Sequence, residues 1–439
     1  MKVMKFGGTS IGSPERMKQV AEIIAQDTEA VIVVLSALSG TTNTLQQIGN
    51  GLANNERNTS KQLIDKLEKF YKDFVEALFE TEESKKKVVK EINGQFDFLK
   101  IMLKISFSYA LQNDILAQGE LLSTTLMSAY LEEKGVKHTL LPALDFMQTD
   151  SEEEPLIGNI KVKLTQLIQA NKTNTLFVTQ GNICRNHKGE TDNLKRGGSD
   201  YSASLIAAAM NASVCEIWTD LKGMHSNDPK VVAQAVPVEC LSFEEAAELA
   251  YFSAKILHPA SIWPAYQYNI PVRLLNIMEP TTAGTIITDK AVGVGVKTIA
   301  AKDNIIAINI KSSRMLLAYG FLKKIFNVFE HFKTPIDMVT TSEIAVSLTI
   351  EAKENLDEIL RELETLGEVT AEENLTIIAI VGNEIVQTPQ VMKRIFNSIS
   401  DIPVRMVSYG GSKHNISLLI ATIDKVAVMK ALNKGIFEL

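Results

Sequence analysis

Short apolar, β-branched runs recur at residues 3–6, 30–35, 175–178, 214–218 and 272–275, most of them separated by stretches whose apolar residues repeat at helical spacing. Alternation of this kind predicts an α/β domain in which a largely parallel sheet is covered by helices on both faces. One stretch breaks the rhythm. Leu63, Leu67, Phe70, Phe74 and Leu78 keep a helical period, and Val88, Ile92, Phe96 and Leu99 continue it after a charged turn. The pattern covers too few heptads for a coiled coil and predicts an antiparallel helical pair packed beside the sheet.

Near residue 300 the pattern changes to a repeat. KKIFNVFEHFKTPIDMV at 323–339 resembles KRIFNSISDIPVRMV at 393–407, sharing Ile-Phe-Asn and Pro-x-x-Met-Val in the same order. Each copy follows a β run (305–310 and 376–381) and leads into another (344–350 and 416–420). The order strand, helix, strand, strand, helix predicts a small ferredoxin-like sandwich, present twice.

A length of 439 residues exceeds one comfortable core, so two or three domains are expected. Charged residues at 22% and apolar residues at 45% describe an ordinary globular chain, which excludes extended disorder. The net charge of −7 is not relieved by basic stripes or tails, so a nucleic-acid partner is not expected, and a polyphosphate ligand needs locally placed cations. Cys184, Cys215 and Cys240 are odd in number and form no CxxC pair, which argues against disulfides and zinc and for reduced thiols in the cytoplasm. MKVMKFGG reaches glycine before an apolar signal core forms, and no apolar run approaches the ~20 residues that span a bilayer, so no membrane association is expected.

Five segments carry candidate chemistry. KFGGTS at 5–10 follows the first β run: Gly7 and Gly8 allow a tight turn with N–H groups turned to an anion, Thr9 and Ser10 can cap a helix, and Lys5 adds an ammonium. By itself the hexapeptide fits a plain turn equally well; it is not a GxxxxGK[ST] loop, which excludes the P-loop class. VVLSALSGTTNTL at 33–45 places Ser36, Ser39, Gly40, Thr41, Thr42 and Asn43 at the end of a buried strand, either lining a ligand crevice or forming a polar loop. KRGGSDYSA at 195–203 joins a guanidinium fork, Arg196, to glycine-exposed donors, Ser199 and Asp200 at a helix start. Asp200 also suits a plain N-terminal helix acid. WTDLKGMHSNDPKVV at 218–232 offers Thr219 and Asp220 for a base or ribose, a turn, and the cation Lys230; FSAKILHP at 252–259 offers Lys255, with a solvent-facing lysine as the alternative. His138, His187, His331 and His414 have no ligand spacing.

In this order the five segments resemble the aspartate kinases of the amino-acid kinase family, and the likeness runs from Lys5 to the C-terminus. FLKKIF and DMVTTSE in the first repeat resemble the lysine-sensitive monofunctional type, and the chain ends at Leu439 without room for a fused dehydrogenase. The resemblance implies an amino-acid kinase fold over 1–295 (aspartate part about 1–212, nucleotide part about 213–295, helical insert about 57–112). Two ACT domains would follow, one at 300–375 completed by about 425–439 and one at 376–424. It implies transfer of a phosphoryl group from ATP, with Mg²⁺ held mainly through the phosphates, to the side-chain carboxylate of L-aspartate. Other amino-acid kinases and a catalytically silent amino-acid sensor are the alternatives.

Carried over by motif, Lys5 and Asp200 would be catalytic, and Ser36, Thr42, Glu120 of GELLS, Arg196 and Ser199 would bind aspartate. Lys5, Gly7, Gly8, Ser10, Thr219, Asp220, His225, Lys230 and Lys255 would bind nucleotide. The carboxylate nucleophile, with an ordinary pKa of about 3.9, is already ionised at neutral pH and needs no general base. Charge neutralisation and in-line placement are what such a site must supply. Met315, Phe321, Leu322, Asp337, Thr341, Ser342 and Glu343 would form an effector site, for lysine by the same likeness, at a two-fold ACT interface that makes a homodimer or a tetramer. Four positions depart from the family pattern: Asn182 replaces an aromatic residue, Lys195 a glycine, His225 a tyrosine and Lys230 an arginine.

Overall fold

The computed structural model describes every residue except 195–196, 221–222, 253–258, 291, 313–318, 352–353 and 439. Two compact units emerge: Met1–Met224 with Glu239–Phe243 and Ile256–Lys290, and His225–Val238 with Glu244–Lys255 and Ala291–Leu439. Among the described residues no helix is long and apolar enough to cross a membrane.

The first unit is built on β1 (Lys2–Phe6), β2 (Val31–Leu35), β3 (Thr139–Leu141), β4 (Leu176–Gln180), β7 (Cys215–Thr219), β8 (Cys240–Ser242), β9 (Val272–Asn276) and β10 (Thr285–Thr288), with β5 (Ile183–Arg185) and β6 (Thr191–Asn193) as a separate hairpin. The sheet order is β3-β4-β2-β1-β7-β9-β10-β8, and every pairing from β3 to β9 is parallel. All five expected β runs are central strands. Every residue of β2, Val-Ile-Val-Val-Leu, is buried, as a strand covered on both faces requires. Within this sheet β10 runs antiparallel to β9 and parallel to β8.

The insert forms as a helix pair, Arg57–Leu78 and Glu82–Met102, joined at residues 79–81. Thr81 caps the second helix by accepting from Ser84 N–H, and Glu82 and Glu83 favour its positive end. Val88, Ile92, Phe96 and Leu99 are buried as expected, but the first helix is rotated slightly from its expected face. Ile64, Leu67, Tyr71, Phe74, Val75 and Leu78 point inward, whereas Phe70 is exposed and Leu63 only lines the edge. The cause is Tyr71, fully buried so that its hydroxyl meets Thr41 Oγ1 at 3.1 Å.

The second unit holds one six-stranded sheet, ordered β12-β13-β11-β14-β16-β15, from β11 (Gly295–Lys311), β12 (Val339–Thr341), β13 (Ala345–Ile350), β14 (Glu368–Asn383), β15 (Met406–Ser408) and β16 (Asn415–Ala421). With helices Phe321–His331, Leu356–Glu364, Pro389–Ser398 and Lys425–Phe437 the expected repeat order appears twice. β11 and β14 are far longer than their apolar runs. Residues 306–311 of β11 pair with β13, while residues 375–381 of β14 pair with β16, and the two long strands pair with each other along both stretches. Each lobe therefore has four strands, one lent by the other repeat. The handover occurs at Asn304 (φ 61°) and Asn374 (φ 60°), left-handed positions beside a register shift; asparagine tolerates that backbone better than most residues.

The two cores follow this division. Ile306, Ile308, Ile310, Val346 and Leu348 pack with Ile325 and Ile359; Ile299, Ile378, Ile380, Ile416 and Leu418 pack with Ile395 and Val428. One expected boundary is corrected. The terminal helix was expected to complete the first lobe, but Val428, Met429 and Leu432 lie in the core of the second. His225–Val238 and Glu244–Lys255 pack with the second unit. There Val232 joins the second core, Ser226 O accepts from Ile299 N–H at 2.9 Å, and Glu245 pairs with Lys297 at 2.7 Å.

Replacing Tyr71 by Phe leaves the buried Thr41 hydroxyl without its phenolic partner, an orphan group that costs about 1–3 kcal/mol. Tyr71→Phe should lower the urea midpoint of unfolding accordingly, and an unchanged midpoint would deny the contact its role.

Candidate active site

Because β4, β2, β1, β7 and β9 run parallel, the turns that leave their carboxyl ends share one edge of the sheet, where open α/β folds bind ligands. The turn after β1 is cinched to its neighbours: Ser36 N–H donates to Phe6 O at 3.2 Å, Ser39 N–H to Gly8 O at 3.2 Å, and Ser10 Oγ to Trp218 O at 3.4 Å. A side chain at position 8 would stand 2.5 Å from Ala37 O, so only glycine permits this approach.

Lys5 lies near the end of β1 and curls back over Gly7, its ammonium 3.2 Å from where a Cβ there would be. It forms an ion pair with Asp200, Nζ to Oδ1 2.6 Å, both side chains being largely buried. Asp200 sits in the first turn of helix Gly198–Met210, which packs on β1, β2 and β7 and starts from Gly197 at φ 64°. Ser199 beside it is buried against Gly181, whose added Cβ would meet the serine side chain at 2.4 Å.

Glu120 lies midway along helix Tyr109–Glu133, buried to 4% exposure. Burial pushes its carboxyl up from the ordinary 4.5 to about 7, although backbone N–H groups of Glu120 and Ala37 favour the ionised form. The Ala37 contact ties Glu120 to the turn that carries Ser36. Thr42 is exposed in the first turn of helix Thr41–Ala53. At the end of β7, Thr219 Oγ1 lies 3.3 Å from Asp220 Oδ1.

Thus Lys5, Gly7, Gly8, Ser10, Ser36, Thr42, Ser199, Asp200, Thr219 and Asp220 all fall along this edge or in the helix starts beside it, and Glu120 reaches it through Ala37. Arg196, Lys255, Met315 and Lys195 lie outside the described residues. His225 and Lys230 belong to the second unit, where His225 O accepts from Thr298 Oγ1 at 2.7 Å and Lys230 is exposed. Asn182 holds φ 64° in the turn after β4 and donates its N–H to Ser202 Oγ at 2.7 Å.

Of the expected effector residues, Phe321 is in the core of the first lobe, Leu322 and Glu343 are exposed, and Thr341 and Ser342 enter a turn closed by Ala345 N–H on Ser342 Oγ at 3.1 Å. The Asp337 side chain is 3% exposed; Oδ1 takes Lys302 Nζ at 2.8 Å and the Tyr251 hydroxyl, while Oδ2 is buried without a hydrogen-bond partner. Lys302 also sits 4.7 Å over the Tyr251 ring and 3.1 Å from Glu351. Burial lowers the Lys302 pKa, but these carboxylates more than offset it and leave it raised. Tyr251 and Lys302 carry no sequence signal, since they sit in no motif and gain meaning only from Asp337. Gln180 leads into the turn that carries Asn182, but nothing in the sequence names its partners.

Known proteins match this arrangement. Residues 1–276 match the amino acid kinase family and residues 378–435 an ACT domain. Lysine-sensitive aspartokinase 3 of Escherichia coli (strain K12) is 32% identical over 451 residues, covering 99% of both chains. Two crystal structures of E. coli aspartokinase III are similar throughout. The one with lysine and aspartate (T-state) has TM-score 0.86 at 32% identity, covering 100% of this chain and 99% of that one. The one with aspartate and ADP (R-state) has TM-score 0.84 at 31% identity, covering 100% of both. With its catalytic-type crevice and its paired C-terminal lobes both matched along their whole length, the chain belongs to the amino acid kinase family, among the aspartokinases.

Proposed function

We propose that this chain phosphorylates the side-chain carboxylate of L-aspartate with ATP and that lysine, bound by its C-terminal lobes, inhibits it. The observation that carries the catalytic part is the Lys5–Asp200 pair on the ligand edge of the sheet, with the buried carboxyl of Glu120 tied to the same edge through Ala37. Aspartate brings an ionised nucleophile, so proton abstraction is unnecessary; the site has to hold two anions in line and neutralise the charge spread over the transferring group. Lys5 meets that charge and Asp200 holds Lys5 in place. Gly7, Gly8 and Ser10 turn backbone donors to the phosphates, and Thr219, Asp220, His225, Lys230 and Lys255 hold the nucleotide.

Glu120 receives the substrate ammonium, Arg196 its α-carboxylate, and Ser36, Thr42 and Ser199 complete the hydrogen bonds. Magnesium carried on the nucleotide would spread phosphate charge and would be held mainly through the phosphate oxygens and water.

In the C-terminal lobes the effector's ammonium pairs with Asp337, whose Oδ2 has no hydrogen-bond partner. Leu322, Phe326, Val339 and Ile344, exposed on the first lobe, support a homodimer through that surface. The protein acts in the cytoplasm.

Purified protein with aspartate, MgATP and hydroxylamine should yield aspartyl hydroxamate, and its absence at high enzyme concentration rejects the assignment. Lys5→Ala should cut turnover about 10³-fold with little change in melting temperature; near-normal turnover would remove Lys5 from the chemistry.

Glu120 sets a pH dependence. Substrate ammonium needs the carboxylate, so kcat/KM for aspartate should fall about tenfold per pH unit below about 7. Bound substrate favours the ionised form, so kcat should fall less. Glu120→Gln should abolish the limb, and a limb that persists belongs to another group. Because the folded-state pKa is raised, this group also makes stability decline as pH rises from about 4.5 to about 7.

Lys302→Met removes the internal ammonium that already occupies Asp337. Half-inhibition by lysine should then need several-fold less effector, with uninhibited activity unchanged; weaker inhibition would place the effector's ammonium elsewhere.

A further inference from the structure

Glu120 is held by groups to which the family likeness gives no role. Gln180, the last residue of β4, is 2% exposed and both ends of its amide are used. Its Oε1 accepts from Ala143 N–H at 2.8 Å, at the start of helix Ala143–Phe146. A backbone N–H can only donate, so the amide orientation is fixed and Nε2 is the end that reaches Thr124 Oγ1, at 2.8 Å. Thr124 therefore accepts from Gln180 and spends its own proton on a carbonyl. Glu120 O lies 2.8 Å away and Leu121 O 3.1 Å away, and Ser123 Oγ adds a second donor to Glu120 O at 3.1 Å.

The chain of donors thus runs one way, from the end of β4 through Thr124 to the helical turn that carries Glu120. On the other side of that turn the Glu120 carboxyl meets Ala37 N–H, and Gly119 lies so close to Ala37 that an added Cβ would come within 2.8 Å of the alanine methyl. The turn is clamped between two strand ends, β4 and β2. All members are buried, and in such surroundings a satisfied polar network specifies one geometry, while a broken one leaves orphan groups.

We propose that Gln180 and Thr124 are positioning residues for Glu120, fixing where the substrate's ammonium is received and keeping water from the carboxyl. The proposal deepens the assignment of Glu120 to aspartate binding and rests on it. Neither residue touches substrate.

The test uses the full chain with Gln180→Met, Thr124→Val, the double variant and Thr124→Ser. Both single variants should raise KM for aspartate about tenfold while KM for ATP and kcat stay within about twofold, since only a ground-state contact is displaced. The double variant should be no worse than either single one, because both break the same chain. Thr124→Ser, which keeps the hydroxyl, should behave as the unmodified protein. A loss of melting temperature with KM for aspartate unmoved, or additive effects in the double variant, would overturn the proposal.

An infrared titration of the substrate-free protein, with Glu120→Gln identifying the band, reads the same turn without turnover. Water admitted by Gln180→Met or Thr124→Val should lower the Glu120 midpoint by about half a pH unit or more. An unmoved midpoint overturns the proposal. A moved midpoint in a protein that does not turn over aspartate upholds the clamp and rejects the substrate assignment.

Discussion

An ammonium held 2.6 Å from a carboxylate, near the end of the central strand of a parallel sheet, is the contact around which the catalytic unit is organised. Removing both charges from water is costly, and such a pair is weak evidence for stability by itself. Its value here is positional. Asp200 starts a helix that packs on β1, β2 and β7, so the Lys5 ammonium is referenced to three strands at once. A cation placed this firmly can meet charge that develops in a transition state without rearranging at that moment.

Glu120 complements it by opposite means. Lys5 is paired, whereas Glu120 is surrounded by protein with only backbone N–H groups to favour its charge, and it rises to about 7. A carboxyl left in that state gains most from a ligand that brings its own positive charge. Asp337 in the first C-terminal lobe presents the same logic partly satisfied: one oxygen already has a lysine and a tyrosine, the other has no hydrogen-bond partner. The two acids, one per unit, describe how a chain can reserve places for ammonium groups.

Much of this was legible in the residue pattern. The five β runs became adjacent central strands because a strand buried on both faces must be continuously apolar, and that signal survives in isolation. Strands such as β3 and β8 span three residues each and carry no period to detect. The first half of β14 escaped notice because Glu368, Thr370, Glu372 and Glu373 face solvent along an outer edge. In the crevice, Lys5, Gly7, Gly8, Ser199 and Asp200 were legible because their chemistry sits in contiguous motifs at strand ends and helix starts. Gln180, Thr124, Tyr251 and Lys302 were not, since each acquires its meaning from a partner dozens of residues away. Phe70 and Tyr71 show the limit of periodicity: both fit an apolar helix face, and a single phenol hydroxyl decides which turns inward.

The exchange of strand halves between the C-terminal repeats has a consequence for inheritance. Either repeat cut out alone would lose the fourth strand of its own sheet and expose the row of N–H and C=O groups that strand had covered. The duplication is thus locked: the two copies can drift in sequence, as Asp337 and its counterpart Arg405 have, but neither can be deleted, shuffled or replaced without the other.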